Sequence, residues 1–196
     1  MKTNSLFPLL FTFLLLVITS VPFSEGHAQW SVGGSFEIQD EDPTNGFGLR
    51  IEREMLNLLP AVDIRLRLMG SRVGEDVEIN QSGIRLTQNI TLWEGGLSGI
   101  AGFSTGVLRL YSGFGGGYAR IESEAEDVQL DDVSIGEVID EVSESSFYWN
   151  FIAGFEFTPM PIITPFFEYR FINVTDDDGF GSNNFNRLAL GVSVSF

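Results

Sequence analysis

The stretch Arg187–Phe196, RLALGVSVSF, decides how the chain folds. Leu188, Leu190, Val192, Val194 and Phe196 fall on one side of a strand, and Ala189, Gly191, Ser193 and Ser195 fall on the other. One face is bulky and apolar, the other small or polar, and the strand stops on an aromatic. That combination is unusual in a soluble sheet. It is expected where lipid lies on one side and a crowded barrel lumen on the other.

The opposite end of the chain agrees. Lys2 precedes an apolar run from Leu6 to Ile18, and Gly26-His27-Ala28 offers a small-x-small cleavage site before Gln29. This is the layout of a secretory signal peptide over residues 1–28. A membrane anchor is the alternative, and Pro8, the short apolar core and Ser24-Glu25-Gly26 speak against it. Residues 29–196 are then one domain by length. They contain no run near the ~20 apolar residues of a spanning helix, so any membrane crossing is by strands.

Composition narrows the chemistry. There is no Cys, the single His is His27 and the single Lys is Lys2, so the domain lacks imidazole, thiol and side-chain amine. Disulfides and thiolate metal sites are excluded. The 18 Phe and 22 Gly suit many short alternating strands.

Eight such segments follow one another between stretches of turn material. Trp30–Gln39 puts Trp30, Val32, Gly34, Phe36 and Ile38 on one face. Gly46–Met55 sets Phe47, Leu49 and Ile51 against Arg50, Glu52 and Glu54. In Ala61–Arg72, Val62, Ile64, Leu66 and Leu68 alternate with Asp63, Arg65, Arg67 and Met69. Gly74–Asn89 has the character of a loop, or of strand pairing continued beyond a bilayer. Ile90–Phe103 is the fourth strand, with a phase slip near Trp93 that a bulge would reconcile. Val107–Ile121, Ser146–Thr158, Ile162–Val174 and the terminal stretch complete the series, with a long polar loop over Glu122–Ser145. Long and short connections alternate, which gathers the long ones at one end, as in transmembrane barrels. A closed barrel also satisfies every backbone group in lipid.

A lipocalin-like barrel or a sandwich would show the same alternation with the faces exchanged. Three features favour the membrane form. The apolar face carries Trp149, Phe151, Phe155, Phe157, Phe167, Tyr169 and Phe171, too bulky together for a small interior. The opposite face is rich in Gly, Ala and Ser. Trp30, Trp93, Trp149 and Tyr169 suit membrane–water interfaces. The expected fold is an all-β, eight-stranded antiparallel up-and-down transmembrane β-barrel after a cleaved signal peptide.

The chain resembles the small eight-stranded outer-membrane barrels of OmpX and OmpA-domain type over its whole domain. The segment Leu110-Tyr111-Ser112-Gly113-Phe114-Gly115-Gly116-Gly117-Tyr118-Ala119 is similar to that family's Tyr-x-Gly-x-Gly-x-Gly-Tyr strand. Gly191, Val194 and Phe196 match its C-terminal assembly signal, whereas Ala189 stands where a polar residue is usual. The resemblance implies residence in the outer membrane of a Gram-negative-type bacterium, contact with its lipid, and insertion by the barrel-assembly machinery as a monomer.

Alternation projects Glu37, Arg50, Glu52, Glu54, Asp63, Arg65, Arg67, Glu94, Arg109, Glu156, Glu168 and Arg170 inward, seven acids against five arginines. Unpaired buried charges are very costly, so these groups must pair or remain hydrated. Arg suits the task because its planar fork bridges two carboxylates. A salt-bridged plug is expected; a narrow ion path or ligand site is the alternative. Eight strands leave no room for a wide channel.

The formal net charge is −16, and Glu122–Glu144 alone holds ten acids. Such loops repel phosphate backbones, which excludes nucleic acid, and they suit divalent cations or a basic partner. Val128, Leu130, Val133, Ile135, Val138, Ile139 and Val142 punctuate the loop and point to a hairpin extension or short helix. Asp176-Asp177-Asp178-Gly179 lacks the further ligands of an EF-hand, and Gly113–Gly117 lacks the sixth-position Gly and Lys of a phosphate loop. No metal or cofactor site is expected. Nucleophilic catalysis lacks its His, Cys or Lys. A carboxylate pair such as Glu52 and Glu54 sits among arginines that hold both ionised. The expected role is therefore non-enzymatic, envelope-structural or surface-interacting, with a narrow channel for small solutes or ions as the alternative.

Overall fold

Strict period-2 alternation makes each segment a strand with one face toward hydrocarbon and the other toward the lumen. The computed structural model describes residues 30–59, 61–81, 84–130, 133–134, 142–159, 162–175 and 184–196. The expected signal segment, Met160–Pro161 and the Asp176–Gly179 turn lie outside these residues. The strands are β1 (Trp30–Gln39), β2 (Asn45–Leu59), β3 (Val62–Gln81), β4 (Ile84–Thr105), β5 (Leu108–Leu130), β6 (Val133–Ser134), β7 (Val142–Phe157), β8 (Ile163–Val174) and β9 (Asn184–Ser195). Eight of them pair antiparallel with their neighbours around a ring, β4-β3-β2-β1-β9-β8-β7-β5, and β4 pairs with β5 to close it. The two-residue β6 only pairs antiparallel with the last two residues of β5.

The terminal strand closes the ring against the first. Ser31 pairs with Ser195 and Gln39 with Arg187, with every residue between in register. Trp30 N–H donates to the Phe196 carbonyl at 3.2 Å, and Phe196 N–H to the Trp30 carbonyl at 2.9 Å. Closure removes both sheet edges from the bilayer-facing wall.

The faces divide as the alternation requires. Phe47, Leu49, Phe114, Leu190 and Phe196 are 61–71 % exposed on the outside, while Glu37, Arg67, Arg187 and Glu168 are 0–1 % exposed inside. A soluble protein does not leave so many large apolar side chains in water. The outward band is a lipid-facing surface, with aromatic pairs such as Phe36–Phe47 and Phe155–Phe167 knitting adjacent strands.

Two local expectations are narrowed and one is overturned. Gly74–Gln81 and Ile84–Asn89 are strand, the second of the two forms expected of that stretch, since β3 and β4 stay paired from Gly74↔Thr91 to Gln81↔Ile84. Glu122–Leu130 likewise remains strand against β4, so the hairpin form of that loop holds where residues are described. No bulge occurs at Trp93. Register with β3 runs unbroken, Leu92 is 2 % exposed inside, and Trp93 faces out. The slip in hydrophobic phase arises because the lumen has an apolar layer of its own. Val73, Leu92, Ala119, Tyr148, Ile172, Val174 and Phe185 cluster there, toward the loop end. The irregularities fall instead at Glu54/Leu56 and Asn57/Leu59 in β2, and opposite Thr87/Gln88, where β5 carries the extra residue Glu126.

At the other end the turns are tight. Gly106 and Val107 alone join β4 to β5, and Gly106 has φ +70, a conformation that costs glycine little.

Candidate functional site

Strand parity delivers one inward side chain from each strand at each level, and the levels stack along the barrel axis. Nearest the turn end, Arg109 grips Asp63 with two N–H groups, Nε to Oδ2 at 2.8 Å and Nη2 to Oδ1 at 2.5 Å. Its Nη1 donates to Glu156 at 3.1 Å. Arg65 joins the same group, 3.0 Å from Asp63 and 3.4 Å from Glu156.

At the next level, Arg50 reaches Glu156 at 2.7 Å and Arg67 reaches Glu52 at 2.7 Å and Glu168 more closely still. Tyr111 donates its hydroxyl to Glu168 at 2.8 Å and accepts from Arg50 at 3.3 Å. The Arg50 guanidinium lies 3.4 Å from the centroid of Phe166. Gly191 admits that ring, since a Cβ there would stand 2.7 Å from Phe166 Cε1. Higher again, Arg170 links Glu168 at 2.7 Å to Glu37, and Arg187 links Glu37 at 3.2 Å to Glu94 and to Gln39 at 2.6 Å.

Eleven of the twelve residues expected in the lumen enter this network. Glu54 does not: it is half-buried beside the β2 bulge and takes part in no ion pair among the described residues. Arg187, fully buried, also stands in the network, outside the expected set. Its shared parity with Ala189, Gly191 and Ser193 is the signal that locates it. Six arginines and six carboxylates therefore face one another, and the network is neutral. Neutrality matters because an excess buried charge costs several kcal/mol.

Three pairs cross the full diameter. Arg50 on β2 meets Glu156 on β7, Arg67 on β3 meets Glu168 on β8, and Arg187 on β9 meets Glu94 on β4. Each pair of strands is four places apart in the ring of eight. These pairs tie opposite walls together and occupy the space through which a solute would pass. Above them the apolar layer around Tyr148 fills the lumen. Gly96 and Gly117 make room for its ring; a Cβ on Gly117 would lie 2.8 Å from the Tyr148 hydroxyl.

Of the expected assembly residues, Gly191 packs inward, and Val194 and Phe196 are exposed on the outer face. Among the described residues no group of three acids is placed to hold a metal ion.

Beyond the level where β2 begins, β3, β4 and β5 continue as a three-stranded fin. Gly74–Gln81 pairs with Ile84–Thr91, which pairs in turn with Glu122–Leu130. The β2 side of Gly74–Gln81 has no strand partner among the described residues.

No protein-family model matches the sequence, and no curated protein matches it. Solved structures do match, and they are outer-membrane barrels. A major outer membrane protein from Thermus thermophilus aligns with a TM-score of 0.57 at 14% identity, covering 87% of this chain and 100% of that one. Neisserial surface protein A gives 0.56 at 18%, covering 85% and 96%. OprG from Pseudomonas aeruginosa gives 0.54 at 11%, covering 87% and 96%. The fold of this chain is that of the small outer-membrane β-barrels.

Proposed function

We infer that this chain, an outer-membrane barrel by fold, is non-enzymatic and works through its outer surface as an envelope-structural or partner-binding element. The three diametric ion pairs carry this reading. A solute path would have to break buried pairs, at about 3–5 kcal/mol for each partner left alone. The carboxylates of the network are each ion-paired with an arginine, which speaks against their serving as general acids or bases.

The fin is the surface that this reading assigns to a partner. Its sequence carries Glu75, Asp76, Glu78, Glu122, Glu124, Glu126 and Asp127 against Arg85, so charge favours a basic partner. Its β3 edge, without a strand partner among the described residues, offers backbone groups to an incoming strand. In this scheme residues 1–28 direct export, and the barrel-assembly machinery reads Gly191, Val194 and Phe196 during insertion.

Two measurements test the proposal. Purified barrel in a planar bilayer is expected to show no stable unit conductance; a reproducible unitary step would establish the narrow channel instead. Reconstituted vesicles should bind immobilised polylysine, and replacing residues 76–89 and residues 123–142 each by a short turn should abolish that binding without loss of the folded barrel. Binding that survives the truncation would remove the fin from the function.

A further inference from the structure

On the outer wall, Phe36, Phe47, Arg72, Trp93 and Arg120 form one continuous cross-strand row on five neighbouring strands. The row lies toward the loop end. The Arg72 guanidinium sits 5.0 Å from the centroid of Trp93. Arg120 flanks Trp93 on the other side and is held by Glu122 at 2.9 Å. Arg72 has no ion pair among the described residues. Nearby acids are engaged elsewhere: Glu75 accepts from Thr44 N–H and Oγ1 at 2.8 Å each, and Asp76 accepts from Asn89 at 2.7 Å. In a chain of net charge −16, an outward arginine with no carboxylate partner among the described residues suits an external anion.

Directly beside this row the wall is hollowed. A groove of about 810 Å³ is lined by Phe36, Phe47, Leu49, Gly70, Arg72 and Trp93. Its lining is almost wholly apolar, and it lies on the face that meets hydrocarbon, with the cation at its rim. Gly70 keeps it deep, and a Cβ there would meet only the Glu94 carbonyl, at 3.6 Å. Hydrocarbon below and a cation stacked on an interfacial indole above match the two ends of an anionic lipid.

We propose that this groove is a binding site for a membrane lipid whose phosphate-bearing headgroup is net anionic. An acyl chain lies over Gly70 between Leu49 and Phe47, and the phosphate is held by Arg72. Arg120, two strands away and about 10 Å distant by interstrand spacing, is the second cation within reach of a large headgroup. Trp93 positions the Arg72 guanidinium at the headgroup level. The proposal rests on the membrane reading of the outer wall.

Brominated lipid quenching tests it. With Trp30→Phe and Trp149→Phe, Trp93 is the sole indole, and the barrel is reconstituted in phosphatidylcholine vesicles. A minor fraction of brominated phosphatidylglycerol is expected to quench Trp93 several-fold more than the same fraction of brominated phosphatidylcholine. Arg72→Gln should remove that difference, and Gly70→Leu, which fills the groove without a backbone clash, should do the same. Retained heat-modifiable gel mobility shows that each variant is folded. Equal quenching by the two lipids, or a difference that survives Arg72→Gln, overturns the site while leaving the membrane reading intact. Quenching by neither lipid overturns the membrane reading and the site with it.

Discussion

Arg67 and Glu168 are ion-paired across the whole width of the barrel, from β3 to β8, 101 residues apart in the chain. Each is 1 % exposed, and each also serves other partners: Arg67 holds Glu52, and Glu168 accepts from Arg170 and Tyr111. The pair therefore couples two opposite walls through a shared network, and its loss is felt by both.

Arg67→Met is expected to lower stability by about 3 kcal/mol, because it leaves buried carboxylates short of a counter-charge. Urea unfolding of the barrel in detergent, followed by Trp fluorescence, measures this. A loss below about 1 kcal/mol, the level of an exposed pair, would mean that water compensates the carboxylates.

Leu190 distinguishes a lipid-facing wall from a wet one. It is 65 % exposed on the outer face of β9, between Phe36 and Phe167 in register. Leu190→Arg is expected to cost about 2–4 kcal/mol for folding into vesicles if the position lies near the bilayer midplane. Equilibrium folding into phosphatidylcholine vesicles gives the number, and a neutral substitution would place this face in water.

Gly117→Ala should destabilise the barrel by about 1–3 kcal/mol through overpacking. The new methyl meets the Gly95 carbonyl and Gly96 Cα as well as the Tyr148 hydroxyl. Tyr148→Phe removes only the last of these, so the double variant should recover little. Full recovery would identify the tyrosine as the sole obstacle.

Phe196 is 69 % exposed, and its structural ties to Trp30 are backbone bonds that any residue makes. Phe196→Ala is expected to fold normally from urea into detergent yet to accumulate poorly in the outer membrane of cells. Equal defects in both assays would make Phe196 a packing residue and not an assembly signal.

The strands were legible wherever parity alone decides. Trp30–Gln39 is bounded to the residue, and the inner face of β3 follows directly from Asp63, Arg65, Arg67 and Met69. Leu92 misleads because an apolar residue inside a barrel looks like one facing lipid. The apolar layer it joins is assembled from six strands, so no single segment displays it. Arg187 escapes notice at the edge of a strand whose other inward residues are mostly small.

By itself, the sequence determined strand order, inside and outside, and so a barrel with a polar lumen in an apolar wall. The two faces follow from the two-residue period of a strand, which acts between near neighbours, and which face turns outward follows from the bulk of the aromatics on one and the Gly, Ala and Ser on the other. Only the tertiary structure decided which carboxylate meets which arginine, that six balance six, and that Arg72, without an ion pair among the described residues, stands over an apolar groove. Those facts depend on strand stagger and closure. The ring brings together residues 93 to 106 positions apart across one diameter, and nothing in the local pattern encodes that distance.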